Sequence, residues 1–97
     1  MQMELELDGQ AIRSEADFHA AIMAALPFPH YYGRNLDALW DVLSTDVERP
    51  VRMVWRHSAF SREAMGERFD TIVSILRDVE RQDVELNFSG RFSLVLD

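Results

Sequence analysis

Hydrophobic positions recur along the chain with two periods, and the period predicts which element each stretch forms. Apolar and acidic residues alternate over residues 3–7, and β-favouring side chains dominate residues 51–56, so both stretches are predicted strands. Alternation returns over residues 84–88 and again over residues 92–96. The pattern predicts a third strand in the first of these stretches. It predicts a fourth strand in the second, antiparallel to the third across a three-residue turn.

Between these stretches, apolar residues recur at the three- and four-residue spacing of amphipathic helices. Helices are predicted over residues 15–26, 35–44, 58–65 and 67–81. Ser14, with an acidic residue three positions later, provides a capping box for the first of them. The order of strands and helices is typical of an α/β fold. Long connections separate the first three predicted strands, which predicts that these strands run parallel.

The length and charge of the chain restrict its function class. Ninety-seven residues fit one domain, spanning residues 1–97, that buries roughly two-thirds of its unfolded surface. Asp and Glu number 17 against 10 Arg and no Lys, which gives a formal net charge of -7. An acidic surface disfavours binding to nucleic acid and to anionic membranes, and it favours a basic partner.

The sequence lacks the marks of secreted and membrane proteins. Its acidic, alternating N-terminus has neither the basic start nor the apolar run of a signal peptide. No apolar stretch approaches the ~20 residues of a transmembrane helix. The absence of cysteine excludes disulfides and thiol chemistry, and it fits a reducing compartment. We therefore expect a cytoplasmic protein.

The stretch 31–43 combines a helix start with two carboxylates. Gly33 tolerates a positive φ, and Asn35 is a preferred N-cap residue, so the helix is predicted to begin here. Asp37 and Asp41 lie four residues apart on a different face from the leucine stripe, and aromatic residues flank them. Two interpretations stay open from the pattern alone. One is the solvated side of an ordinary amphipathic helix, and the other is a surface that docks a basic partner.

Candidate catalytic and metal-binding residues are few. The three histidines are scattered rather than clustered, so no metal site is expected. There is no phosphate-binding glycine loop and no nucleophile motif. Asp37 and Asp41 lack an obvious basic neighbour that would tune a paired acid and base. We expect neither an enzyme nor a cofactor. Asp78 has two open interpretations, which are a solvated residue paired with Arg81 or Arg77, and a third carboxylate facing the same partner.

The run from Tyr31 to Asp41 resembles the signature of the barstar family, whose members are intracellular inhibitors of the ribonuclease barnase. Similar segments occur at residues 9–14, 54–56 and 76–78, so the resemblance covers about residues 4–88. It implies a two-layer fold in which a three-stranded parallel sheet packs on helices. Residues 92–96 are then a candidate extra antiparallel strand.

The resemblance also implies a function and a set of contact residues. The second helix and its preceding loop would enter the active site of a basic extracellular ribonuclease, barnase-like, or of a related toxin. Asp41 would take the phosphate position as the central anchor, Asp37 would pair with a neighbouring basic group, and Tyr31 would stack on an active-site histidine. The other implied partner-binding residues are Asn35, Trp40, Ser44 and Asp78. No nucleic acid, membrane or cofactor is expected to bind, and the free chain is expected to be a monomer.

The sequence departs from the family prototype at several positions. Thr45 and Asp46 replace a Gly-Trp pair, Asp78 replaces a longer Glu, and Arg34 replaces an acid near the expected contact. These departures leave open the contacts of residues 44–46 and of Asp78. They also leave an alternative function, namely an immunity or adapter module of the same fold that binds a basic protein other than a ribonuclease.

Overall fold

The computed structural model describes residues 3–29, 32–87 and 90–97. Its strands and helices follow the chain in an α/β order. They are β1 (Met3–Asp8), α1 (Glu15–Ala25), α2 (Leu36–Asp41), a π-helical turn (Val42–Asp46), β2 (Val51–Arg56), α3 (Ser58–Met65), α4 (Glu67–Glu85) and β3 (Phe92–Leu96).

The three strands form one sheet in the order β1-β2-β3, and both neighbouring pairs are parallel. The register aligns Leu5 with Met53 and Leu94, so one face of the sheet is apolar and buried against the helices. The other face is open and carries ion pairs, including Arg52 with Glu4 at 3.2 Å. The predicted fold, a three-stranded parallel sheet packed on helices in two layers, is confirmed.

The prediction of which residues form the third strand is wrong. Val84 and Glu85 end α4, and Leu86 and Asn87 form a turn, while Phe88 lies outside the described residues. The third strand is Phe92–Leu96, and it runs parallel to β2 rather than antiparallel to a neighbour.

The cause of this error is visible in the burial of the side chains. Val84 is 54% exposed and Leu86 is 56% exposed, so their alternation with polar residues does not reflect packing on a core. The buried stripe of α4 passes instead through Val79 to Asp83, which is fully buried. The helix therefore continues four residues beyond its predicted end at residue 81.

The other helices agree with their predictions at most ends. The helix predicted over residues 15–26 ends one residue earlier, and that over residues 58–65 is found with the same limits. Gly66 separates α3 from α4 with a φ of 59°. The helix predicted over residues 35–44 is shorter, because it changes to the π-helical turn after Asp41.

Trp55 on β2 occupies the centre of the core. Its ring stacks on Phe18 of α1 at 5.2 Å between centroids and packs at 5.0 Å against Phe69 of α4. The indole N–H donates to the hydroxyl of Ser61 at 3.1 Å, and that hydroxyl lies 2.8 Å from the carbonyl oxygen of Ile12. One buried side chain thus joins the sheet to three helices and to the β1–α1 connection.

Candidate functional site

Helix α2 is fixed on the core by one side only. Leu39 and Leu43 are fully buried, and Val42 is nearly so. Asn35 caps the helix, because its Oδ1 accepts a hydrogen bond from the backbone N–H of Ala38 at 2.8 Å. The predicted N-cap is therefore confirmed, and its amide oxygen is already engaged within the chain.

Asp37 and Asp41 lie on the opposite, solvent-exposed side of α2. The two carboxylates are one helical turn apart, which places them side by side on the same face. Within the described residues, no hydrogen bond or ion pair engages either side chain. The structure therefore leaves both charges exposed and available, at the place where the sequence predicted an acidic surface.

Trp40 and Ser44 border this pair and are half-buried. Trp40 packs against the edge of the core. The hydroxyl of Ser44 donates to the carbonyl oxygen of Trp40 at 2.6 Å, and the hydroxyl of Thr45 donates to that of Asp41. Side-chain hydroxyls that bond back to carbonyls one turn earlier disturb the regular helical ladder. The chain then closes the π-helical turn, with the N–H of Val47 donating to the carbonyl oxygen of Val42 at 3.2 Å.

The segment before α2 packs on the core through Tyr32, whose side chain is buried and 6% exposed. Its hydroxyl bonds to Nδ1 of His19, and Nε2 of His19 lies 2.9 Å from the carboxylate of Glu15. Because an ionised carboxylate can only accept, Nε2 donates to Glu15, and in the neutral imidazole Nδ1 then accepts from the Tyr32 hydroxyl. Burial, with the nearby negative charge of Glu15, raises the pKa of the Tyr32 hydroxyl. Tyr31, the adjacent candidate contact residue, lies outside the described residues.

Sequence reasoning missed this Glu15–His19–Tyr32 chain of hydrogen bonds. The four-residue spacing of Glu15 and His19 on a predicted helix was a usable signal for half of it. Nothing local connects His19 with Tyr32, thirteen residues later.

Asp78 lies on α4 with 45% of its side chain exposed and pairs with Arg81 at 2.7 Å. This is the first of the two interpretations that the sequence left open. Among the contacts of the described residues, none joins Asp78 to the carboxylates of α2. Its contact with a partner stays a prediction.

Two further features that would bear on function are a metal site and a membrane-spanning helix. Over residues 3–29, 32–87 and 90–97, no three acidic or histidine side chains are grouped so as to hold a metal ion. No helix in the same ranges combines the length and the apolar character needed to cross a membrane.

Comparison with known proteins agrees with the geometry. The chain matches the family model described as Barstar (barnase inhibitor) over residues 2–95. It is similar to a protein of Bacillus subtilis (strain 168) named "Putative ribonuclease inhibitor YrdF". The two sequences are 33% identical over 76 residues, which is 78% of this chain and 84% of that relative. With its parallel three-stranded sheet and its exposed acidic helix, the chain belongs to the barstar family.

Proposed function

We propose that this protein is a cytoplasmic inhibitor of a basic extracellular-type ribonuclease, barnase-like, or of a related toxin. In this proposal α2 and the loop before it cover the active site of the nuclease. The observation that carries the proposal is the pair of exposed carboxylates of Asp37 and Asp41, which no other described residue engages, on a helix of a barstar-family chain. The name of the Bacillus subtilis relative supports the same role.

The proposed mechanism is the imitation of RNA phosphate by carboxylate. A ribonuclease binds the phosphates of its substrate with cationic groups, and the same groups attract an exposed carboxylate pair. Asp41 is the central anchor, and Asp37 pairs with a neighbouring cation. Asn35 and Trp40 flank these two contacts, and Ser44 lies at their edge.

Two further contacts belong to the proposal. Tyr31 stacks on an active-site histidine of the nuclease, and Asp78 makes an outlying contact. Asp78 must exchange its ion pair with Arg81 for a contact with the partner, so we expect its contribution to be small.

Electrostatics favours both the rate and the strength of such binding. A net charge of -7 steers a basic partner toward the inhibitor and raises the association rate. Truncating one member of a desolvated charge pair at an interface costs about 2–5 kcal/mol. That range rests on the barnase–barstar pair itself, so it is an expectation for this family rather than independent support. The protein acts by occlusion as a monomer, without a cofactor and without chemistry of its own.

The experiment is an inhibition titration with a matched control. RNA cleavage by barnase and by other purified basic bacterial ribonucleases is measured against wild type, Asp41→Ala and Asp70→Ala. Asp70 is a suitable control because its side chain is 67% exposed on α4 and its ion pair with Arg62 is long, at 3.9 Å. We expect at least one enzyme to be inhibited, with the inhibition constant raised about 30-fold or more by Asp41→Ala. Asp70→Ala should change it less than about twofold.

Equal inhibition by wild type and Asp41→Ala would refute the proposed anchor. Failure to inhibit any ribonuclease, combined with tight binding to a basic protein of another class, would favour the immunity or adapter function instead.

A further inference from the structure

The arginines of this acidic chain are mostly used within the fold. Seven of the ten form ion pairs with carboxylates, and these are Arg49, Arg52, Arg56, Arg62, Arg68, Arg77 and Arg81. Arg13 and Arg34 form none with the residues that the structure describes. Arg13 lies on the β1–α1 connection. Arg34 directly precedes the N-cap of α2 and so belongs to the proposed inhibitory surface.

We propose that Arg34 binds a carboxylate of the ribonuclease, so that the partner carries an acidic residue at the edge of its basic, phosphate-binding surface. The inference rests on the proposed function and specifies the charge pattern of the partner. Arg34 then decides which basic nuclease the inhibitor accepts.

The backbone at Arg34 supports a role for its side chain. Its φ is 54°, in the left-handed region that Gly or Asn adopts more easily. A connection into α2 that served only to turn the chain would be made at lower conformational cost by glycine at this position, yet the positive φ falls on Arg34 and not on the neighbouring Gly33. A long cationic side chain held in this conformation therefore indicates a use for the cation, and such backbone positions concentrate at binding sites.

No carboxylate of the described residues forms an ion pair with Arg34. The side chain is exposed and borders a cleft of about 320 Å³ between α1 and the loop, lined also by Glu15, Ala16, His19 and Ala20. Glu15 is the carboxylate of this cleft, and it is already engaged by His19 at 2.9 Å and by Arg68 at 3.4 Å. In this cleft the guanidinium of Arg34 has no ion-pair partner among the described residues, and its neighbours are two alanines and the already engaged Glu15 and His19.

The charge of Arg34 would otherwise oppose the proposed function. A cation on the same surface as the two carboxylates repels the basic groups that those carboxylates attract. If the facing surface were basic throughout, binding would improve on losing this cation. Opposite charge on the partner turns the same cation into a selective contact, because nucleases without that carboxylate would meet an unpaired positive charge.

The test reverses the charge of residue 34 and measures whether the affinity for the ribonuclease falls or rises. The probe is the ribonuclease that wild type inhibits most strongly in a panel of purified basic bacterial ribonucleases that includes barnase. Dissociation constants are measured for wild type, Arg34→Glu, Arg34→Gly and the control Arg13→Glu, which makes the same change of charge on the β1–α1 connection beside α3. We expect Arg34→Glu to weaken binding about tenfold or more, and Arg34→Gly to weaken it about threefold. Arg13→Glu should leave binding within about twofold.

Arg34→Gly protects the test against loss of folding, because glycine suits the left-handed backbone at this position. Unchanged or tighter binding by Arg34→Glu, or wild-type affinity of Arg34→Gly, would overturn the inference. If Asp41→Ala still weakens binding in that case, the proposed function stands without it. A wild type that inhibits no member of the panel would remove both.

Discussion

Asp83 allows a test of how much a buried ion pair contributes to the stability of this fold. The residue is fully buried on α4, where the periodicity of the helix calls for an apolar side chain. Its carboxylate binds the guanidinium of Arg49 at 2.8 Å and 3.0 Å, and it accepts the backbone N–H of Phe92 at 2.7 Å. One side chain thus joins α4 to the start of β3 and to the segment that follows the π-helical turn. The perturbation is Asp83→Ala.

The expected loss follows from what the substitution leaves behind. Arg49, with 11% of its side chain exposed, would keep a nearly buried charge without a counterion, and the N–H of Phe92 would lose its acceptor. Breaking a buried ion pair by removing one partner costs about 3–5 kcal/mol. A typical domain is stable by about 5–15 kcal/mol, so we expect the variant to fold but to be severely weakened. Asp83→Asn keeps an acceptor for Phe92 and should lose less, about 2 kcal/mol.

The assay is urea unfolding followed by tryptophan fluorescence, since Trp55 is fully buried. With a urea m-value of about 1.3 kcal/mol/M, a loss of 3–5 kcal/mol moves the midpoint down by about 2–4 M. Glu4→Ala is the matched control, because it breaks an Arg–carboxylate pair whose side chains are 45% and 48% exposed. That exposed pair should be worth less than about 1 kcal/mol.

A loss below about 1 kcal/mol for Asp83→Ala, similar to that for Glu4→Ala, would refute the argument that burial decides the value of these pairs. Replacing Arg49 by Met in the Asp83→Asn background provides a second check. Removing the stranded charge should recover part of the lost stability, and additive losses would show that the two residues are not coupled.

Two further predictions concern the base of the proposed inhibitory surface. Burial raises the pKa of Tyr32, so its hydroxyl stays protonated in the folded state and should contribute nothing to the pH dependence of stability below about pH 10. Above that pH the unfolded chain ionises first, and stability should fall by up to about 1.4 kcal/mol per pH unit. Urea midpoints at pH 9, 10 and 11 should show this fall in wild type and much less of it in Tyr32→Phe, and parallel curves would contradict it. Asn35→Ala should lower the free energy of unfolding in urea by about 1 kcal/mol, because it removes the N-cap. Asn35→Ser should keep most of that free energy, because serine is also a preferred N-cap residue. Equal losses for the two substitutions would exclude capping as the cause.

Local signals in the sequence predicted most of the helices. Ser14 accepts the N–H of Asp17 at 3.1 Å, as the capping-box pattern indicated, while Asp17 accepts the N–H of Arg13, one residue before the N-cap, at 3.0 Å. Asn35 caps α2 in the same way. Such signals act over three or four residues, so they can be recognised without knowledge of the fold.

The position of the third strand depends on interactions between residues that are distant in the sequence, and the local pattern predicted it wrongly. The stretch 84–88 alternates as well as the stretch 92–96 does, but only the second lies where β2 is unpaired. The outer edge of β3 is further satisfied by α4. Glu80 accepts the N–H of Leu94 at 2.7 Å, and Arg77 donates to the carbonyl oxygen of Leu94 at 2.9 Å. Periodicity cannot indicate that polar side chains of a helix will complete the hydrogen bonding of a strand.

The same distinction between local signals and interactions of distant residues applies to the candidate site. The outward direction of Asp37 and Asp41 followed from their spacing relative to the leucine stripe of one short helix. That Arg34 has no ion-pair partner in the described structure followed only from placing the other arginines, whose carboxylate partners lie up to 50 residues away. The partner's expected charge pattern is therefore a property of the folded chain rather than of any motif.

An acidic chain must leave some carboxylates unpaired, since 17 of them face 10 arginines, so free carboxylates alone carry little meaning. Asp37 and Asp41 lie on a helix that several contacts hold in place. The Asn35 cap fixes the start of α2, buried leucines fix its inner side, and the hydroxyl of Ser44 closes its end onto Trp40. An interface that is ordered before binding loses less entropy on association, so more of the charge attraction remains as affinity. The same two carboxylates on a flexible loop would attract a basic partner equally well at long range and would hold it less tightly.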